Sequence, residues 1–183
     1  MVGPTGERAR RDEGQPIVPL VEEPPEEGAR VDVVPVRRDA SGRLVAVGLI
    51  STAGVDGEQR WTTIRGTVLP GETIERAIAR CVGETLGSEA RAQLSPPPQV
   101  GWAGKLPHAR RDDAPLRTDR RDIAAAVEIQ GRLMPQGAAR RFAWFLVTAL
   151  PVRGEVSSGQ WALLADFLEA HGERGLAARM RQF

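Results

Sequence analysis

The stretch GTVLPGETIERAIARCVGETLG, residues 66–87, places Gly66, Gly71, Glu72, Arg80 and Glu84 at intervals that suit work on phosphate. Gly66 and Gly71 permit a left-handed backbone and close approach of the main chain to a ligand. Pro70 stiffens the turn between them. Glu72 stands where a helix over about 73–86 begins, and Thr73 opens its first turn. A helix N-terminus behind a glycine loop presents free N–H groups and a positive dipole end, which favours an anionic group. Glycine turns precede many helices, so this much is unspecific.

A second group of candidates lies in HARRDDAPLRTDRRD, residues 108–122. Arg110, Arg111, Arg117, Arg120 and Arg121 could grip phosphates, because a guanidinium makes bidentate contacts with such groups. Asp119 and Asp122 could lend carboxylates to a metal. The plainer reading is a solvated loop whose charges neutralise one another, with His108 a loop histidine rather than a base. Cys81 is the only cysteine, which excludes an internal disulfide and a multi-cysteine zinc site. It could ligate a soft metal or act as a nucleophile, but no histidine is near it in sequence, and a buried inert thiol is the simpler reading. Glu128 interrupts an apolar strand, where it either faces solvent by alternation or reaches the pocket as a replacement acid. Trp61, Trp102 and Trp144 read as core residues before they read as base-stacking groups.

The full spacing is more specific. Gly66, five residues, Glu72, seven residues, Arg80, then Glu84 and Gly87 follows the skeleton G-x5-E-x7-R-E-U-x-E-E-x-G-U, with U an aliphatic residue. This resembles the box of the Nudix hydrolase superfamily in a degenerate form. Trp61 before the first glycine and LPGE at 69–72 add to the likeness. A narrower resemblance lies in VDVVPVRRDASGRLVAVGLI, the altered box and TDRRDIAAAVEI at 118–129, which are similar to an uncharacterised, mainly actinobacterial Nudix-like family whose box is also short of acids.

The resemblance implies an α+β fold, a Nudix-type α/β/α sandwich with a mixed central sheet. It implies a nucleotide-derived small molecule as ligand, Mg²⁺ or Mn²⁺ as cofactor if the protein is active, and a homodimer. In that family glutamates of the R-E-x-x-E-E stretch hold the metal, which wants carboxylate oxygens. Here the stretch reads Arg80-Cys81-Val82-Gly83-Glu84-Thr85, so one of three helix acids survives. By resemblance Glu84 is the catalytic acid, and Glu72, Glu84 and the Gly66 carbonyl are the metal ligands. Arg65, Gly71, Arg80, Asp119, Arg121 and Asp122 are candidates for contacting the ligand, and Arg80 holds the loop in place. At about 100° per residue, Ile74, Ile78, Cys81, Val82 and Thr85 fall on one arc with Glu84 at its edge. A patch of charge has become a face that can pack. Two readings stand: a hydrolase of a nucleoside diphosphate-linked substrate, weakened or with a rebuilt metal site, and a module that binds a nucleotide, phosphorylated ligand or protein partner without hydrolysis and needs no cofactor. A changed reaction such as an isomerisation has no specific support.

These residues need a frame to hold them. RVDVVPVRR and RLVAVGLIS read as strands joined across ASG at 40–42, a hairpin. RWTTIRG reads as one strand leading into the box, and SPPP at 95–98 rules out continuing the box helix. VGWAGKLP is a candidate short strand, and IAAAVEIQGRL and RFAWFLVTAL read as two more. SSGQWALLADFLEAHG carries Trp161, Leu164, Ala165 and Leu168 at helical spacing behind a serine cap. Residues 1–29, with EEPPEEG at 22–28, read as a flexible N-terminal arm. Residues 30–183 form the Nudix-like domain.

At 183 residues the chain suits one domain with a full core. A net charge of +1 creates no general field toward nucleic acid or a membrane. No stretch nears the roughly 18–20 apolar residues of a membrane span, and the N-terminus lacks a signal-peptide core. A cytoplasmic, soluble protein is the expectation.

Overall fold

The structure is a computed structural model that describes residues 29–54, 57–94, 123–157 and 159–182. The arm residues 1–28, the candidate strand VGWAGKLP and the Arg/Asp loop lie outside the described residues. So do Trp102, His108, Asp119, Arg121 and Asp122.

The expected hairpin forms from β1 (Arg30–Arg38) and β2 (Leu44–Ala53), antiparallel, with Val36 opposite Val47. Both strands are rich in β-branched residues that suit a pleated, buried surface. β6 (Ile123–Gln130) lies parallel to β1, with Val31 opposite Ile123 and Val33 opposite Ala125. β5 (Arg91–Leu94) pairs antiparallel with β6, and β7 (Ala139–Leu146) pairs antiparallel with β2. The result is a seven-stranded mixed sheet.

RWTTIRG is two strands and not one. β3 (Gln59–Thr62) pairs with β2, and β4 (Ile64–Thr67) pairs with β1. The chain changes partner at Thr63, a fully buried residue whose N–H donates to the side-chain carbonyl of Gln160, 3.1 Å away. A partner 97 residues distant satisfies the amide that the sheet does not.

Helices cover both faces. α1 (Ile74–Leu86) packs Ala77, Ile78, Cys81, Val82 and Leu86 against Val31, Val33, Ile50, Ile64, Ala125 and Val127. α2 (Gln160–Ala170) and α3 (Arg174–Gln182) close the opposite face, where Leu163, Leu164, Leu168 and Met180 meet Val34, Val36, Val47 and Leu49. Trp161 Nε1 donates to the Met180 carbonyl at 2.7 Å, fastening α2 to α3. The predicted stripe of α2 is buried as expected, with Trp161 partly so. Its cap differs: Gly159, in the left-handed region at φ 79°, precedes the first turn and makes no side-chain bond. The Ser157 carbonyl accepts the Gln160 N–H instead.

Candidate functional site

β4 delivers the backbone to the glycine turn, and the turn delivers it to α1. Thr73 caps the helix, its hydroxyl accepting the Arg76 N–H at 3.3 Å. The LPGE turn closes on itself, because the Glu72 N–H donates to the Leu69 carbonyl while the Leu69 N–H donates to Glu72 Oε2, both at 3.0 Å. Gly71 sits in this turn at φ 71°, in the left-handed region that glycine takes without strain.

Gly66 has another use. Its φ is not positive, and the reason for glycine there is space. A Cβ built on Gly66 would collide with Cys81 Sγ, with the Cys81 Cβ at 3.6 Å. The sulfur therefore fills the interval between β4 and α1, and Cys81 as a whole is 2% exposed. Burial pushes its pKa up, against the opposing pull of Arg80, so it is a neutral thiol near pH 7.

Arg80 organises the rest. Its Nε donates to Glu72 Oε1 at 2.9 Å and its Nη2 to Glu72 Oε2 at 2.8 Å, a bidentate pair. Nη2 also donates to the Thr67 carbonyl at 2.7 Å, and Nη1 to Glu84 Oε2 at 3.3 Å. These bonds hold the Glu72 carboxyl at about 2, with Arg80 the largest cause and the Leu69 N–H next. They hold Arg80 firmly charged. Both surviving box acids are thus gathered on one guanidinium. Glu72 is largely enclosed, while the Glu84 side chain is 63% exposed.

The other sequence candidates separate. Thr85 is half-buried, and its carbonyl accepts the Gln136 N–H at 2.9 Å. Arg65 does not stand beside the box. Strand alternation turns Ile64 and Gly66 toward α1 and turns Arg65 to the other face, where its Nε lies 3.4 Å from Asp32 Oδ1. Glu128 goes the same way. Its neighbours Val127 and Ile129 face α1, whereas Ala126 packs in the α2 core, so Glu128 shares that second face and does not reach the box helix. Trp61 packs in the α2 core with its ring edge-on to Phe145. Trp144 lies under the Arg37 guanidinium, 4.3 Å from the ring centre.

A divalent cation wants several carboxylate oxygens. Among the described residues no group of three histidine, cysteine, aspartate or glutamate side chains could hold a metal ion. Both oxygens of Glu72 are engaged by Arg80, and the thiol of Cys81 packs onto Gly66. The described box residues do not fit Mg²⁺ or Mn²⁺.

Sequence reasoning passed over a second polar group. Asp32 is 0% exposed and accepts from Thr63 Oγ1 at 2.7 Å and Gln160 Nε2 at 3.1 Å. The signal was present: an aspartate inside the apolar run VDVVPV, like the glutamate that did draw notice in β6.

Residues 28–173 match a family described as a domain of unknown function, DUF4916. No protein with a curated description matches the chain. Among solved structures, a possible asymmetric diadenosine tetraphosphate hydrolase from Jonesia denitrificans aligns at 23% identity and a TM-score of 0.58, over 80% of this chain and 96% of that one. A MutT NUDIX hydrolase from Burkholderia pseudomallei aligns at 18% identity and 0.46, over 76% and 94%. A Nudix hydrolase from M. smegmatis, RenU, aligns at 12% and 0.49, over 81% and 88%. At these identities the likeness is one of fold. No helix among the described residues is long and apolar enough to cross a membrane.

Proposed function

We propose, for a chain that belongs to the DUF4916 family and has the Nudix hydrolase fold, that the box serves as a binding cradle for a nucleotide-derived, phosphorylated small molecule, without hydrolysis. The observation that carries this reading is the contact of Cys81 with Gly66. A sulfur packed onto the glycine strand makes that side of α1 part of the core. It offers a hard cation neither charge nor an open oxygen. The loop and helix N-terminus keep their form independently of it, through the Thr73 cap and the Leu69–Glu72 turn. What remains is a helix N-terminus whose positive dipole end suits an anion, braced by Arg80.

A second reading, hydrolysis of a nucleoside diphosphate-linked substrate, is favoured by the exposed carboxylate of Glu84 and by the fold itself. It requires acids from outside the box, and Asp119 and Asp122 are the candidates. In either reading residues 30–183 are the functional domain and residues 1–29 an arm. A cytoplasmic location and a homodimer belong to the same proposal.

The test is mass spectrometry of a nucleotide panel incubated with purified protein and Mg²⁺ or Mn²⁺, with Glu84→Gln alongside. The panel holds ADP-ribose, NADH, nucleotide sugars, dinucleoside polyphosphates and nucleoside triphosphates. Calorimetric titration of the same compounds runs in parallel. The cradle predicts binding that is insensitive to Mg²⁺ and no turnover. Turnover that vanishes in Glu84→Gln would overturn it in favour of the hydrolase.

A further inference from the structure

The charged group around Asp32 lies on the α2 face of the sheet, away from the box. Asp32 of β1 receives Arg30 twice: Nη2 donates to Oδ1 at 3.0 Å, and Nε stands 2.8 Å from Oδ2. That second contact is a charge contact off hydrogen-bond alignment, so the buried Arg30 Nε and Asp32 Oδ2 both lack a well-directed partner. Arg65 of β4, directly across the ladder from Asp32, approaches Oδ1 with its Nε at 3.4 Å. Thr63 and Gln160 fill the inner side of the same oxygen at 2.7 and 3.1 Å.

The carboxylate is therefore spent inward, on a hydroxyl, an amide and the near edges of two guanidiniums. Both side chains keep part of their surface in solvent, with Arg30 35% and Arg65 38% exposed. Among the described residues, these two positive charges share one negative charge. Gln160 is moreover the first residue of α2, an eleven-residue helix whose N-terminal end adds a partial positive charge to the same neighbourhood. Such a half-buried surplus is stabilised by an added anion, and guanidinium groups recognise oxyanions through bidentate, charge-assisted hydrogen bonds.

We propose that Arg30 and Arg65, oriented by the buried Asp32 beside the first turn of α2, form a second anion site that takes a phosphate-type oxyanion, free or carried on a metabolite. The site is independent of the box, because alternation along β4 puts Arg65 and Gly66 on opposite faces. Asp32, Thr63 and Gln160 are positioning residues that fix the planes of the two guanidiniums. The depressed pKa of Arg65, caused first by burial and then by Arg30, accords with a guanidinium short of counter-charge.

The experiment titrates the full chain with sodium phosphate at constant ionic strength and follows the arginine Nε–Hε signals by NMR. A second arm uses AMP. Saturable movement of the Arg30 and Arg65 signals is expected. Equal affinities for phosphate and AMP would assign the site to the phosphoryl group alone, and tighter AMP binding to a phosphorylated metabolite. Arg65→Gln should weaken binding by about tenfold or more, the loss of one charge-assisted contact. Arg65→Lys should recover it only in part. If the Arg65 signal stays still while phosphate moves that of Arg80, or if Arg65→Gln binds phosphate as wild type does, the second site is wrong and the box alone binds anions. The wild-type NMR result stands even if a variant fails to fold.

Discussion

Replacing Gly66 by alanine tests the contact on which the box reading rests. The backbone there is not left-handed, so alanine costs nothing in φ. It would even stabilise by about 0.4–1 kcal/mol through the unfolded chain if space allowed. Space does not allow it, because the new methyl would fall on Cys81 Sγ. Overpacking of this kind costs about 1–3 kcal/mol, so Gly66→Ala should destabilise by about 1–2 kcal/mol net. Cys81→Ala removes one buried heavy atom and should cost about 1 kcal/mol, the scale of a lost methylene. In the double variant the methyl enters the space the sulfur has left. Its nearest remaining neighbour is the Cys81 Cβ at 3.6 Å, an ordinary contact. The double variant should then lie within about 0.5 kcal/mol of wild type, giving a coupling of about 2 kcal/mol. Urea unfolding of the four proteins measures this through the midpoint at constant slope. Additive losses in the double variant would refute the packing of β4 on α1 described above.

Glu72 is held at about 2 from an ordinary 4.5. A carboxyl with a depressed native pKa contributes stability that is complete above about 4.5 and is lost as pH falls toward 2. Stability measured against pH should show this acid limb in wild type and lose part of it in Arg80→Met. His171 is depressed from 6.5, by burial first and the Arg38 charge second, with Arg38 Nη2 3.3 Å from its Nδ1. Here the unfolded chain binds the extra proton, so stability is complete above 6.5 and declines below it; His171→Phe should flatten that segment of the pH curve. Thr73→Ala should cost about 1 kcal/mol, the value of an N-cap, in the same unfolding assay, and Thr73→Asp should retain most of it.

How far these features can be read from the chain depends on the range of the forces behind them. The hairpin, α1 and the buried stripe of α2 are local patterns, and alternation or helical spacing discloses them. The partner change at Thr63 depends on Gln160, which is distant in sequence, and no local signal marks it. β5 is four residues with alternating exposure, too short for a period to register. α3 buries Ala177 and Met180 in a run otherwise rich in arginine. In the site, the absence of two acids is legible as spelling. That the cysteine seats itself on Gly66, and that Arg65 turns away from the box, are facts of the β4 register.

The parallel ladder between β1 and β6 bears on how the sheet assembles. β1 meets β2 across a short turn, but it meets β6 only after the chain has passed through α1, β5 and everything up to Ile123. Closing so long a circuit makes assembly of this sheet slow compared with its hairpin. Yet the closing entropy grows only logarithmically, by about 0.6 kcal/mol for each doubling of the intervening length. The late closure of the β1–β6 ladder therefore weighs little on the stability of the finished sheet and much on the speed of its assembly.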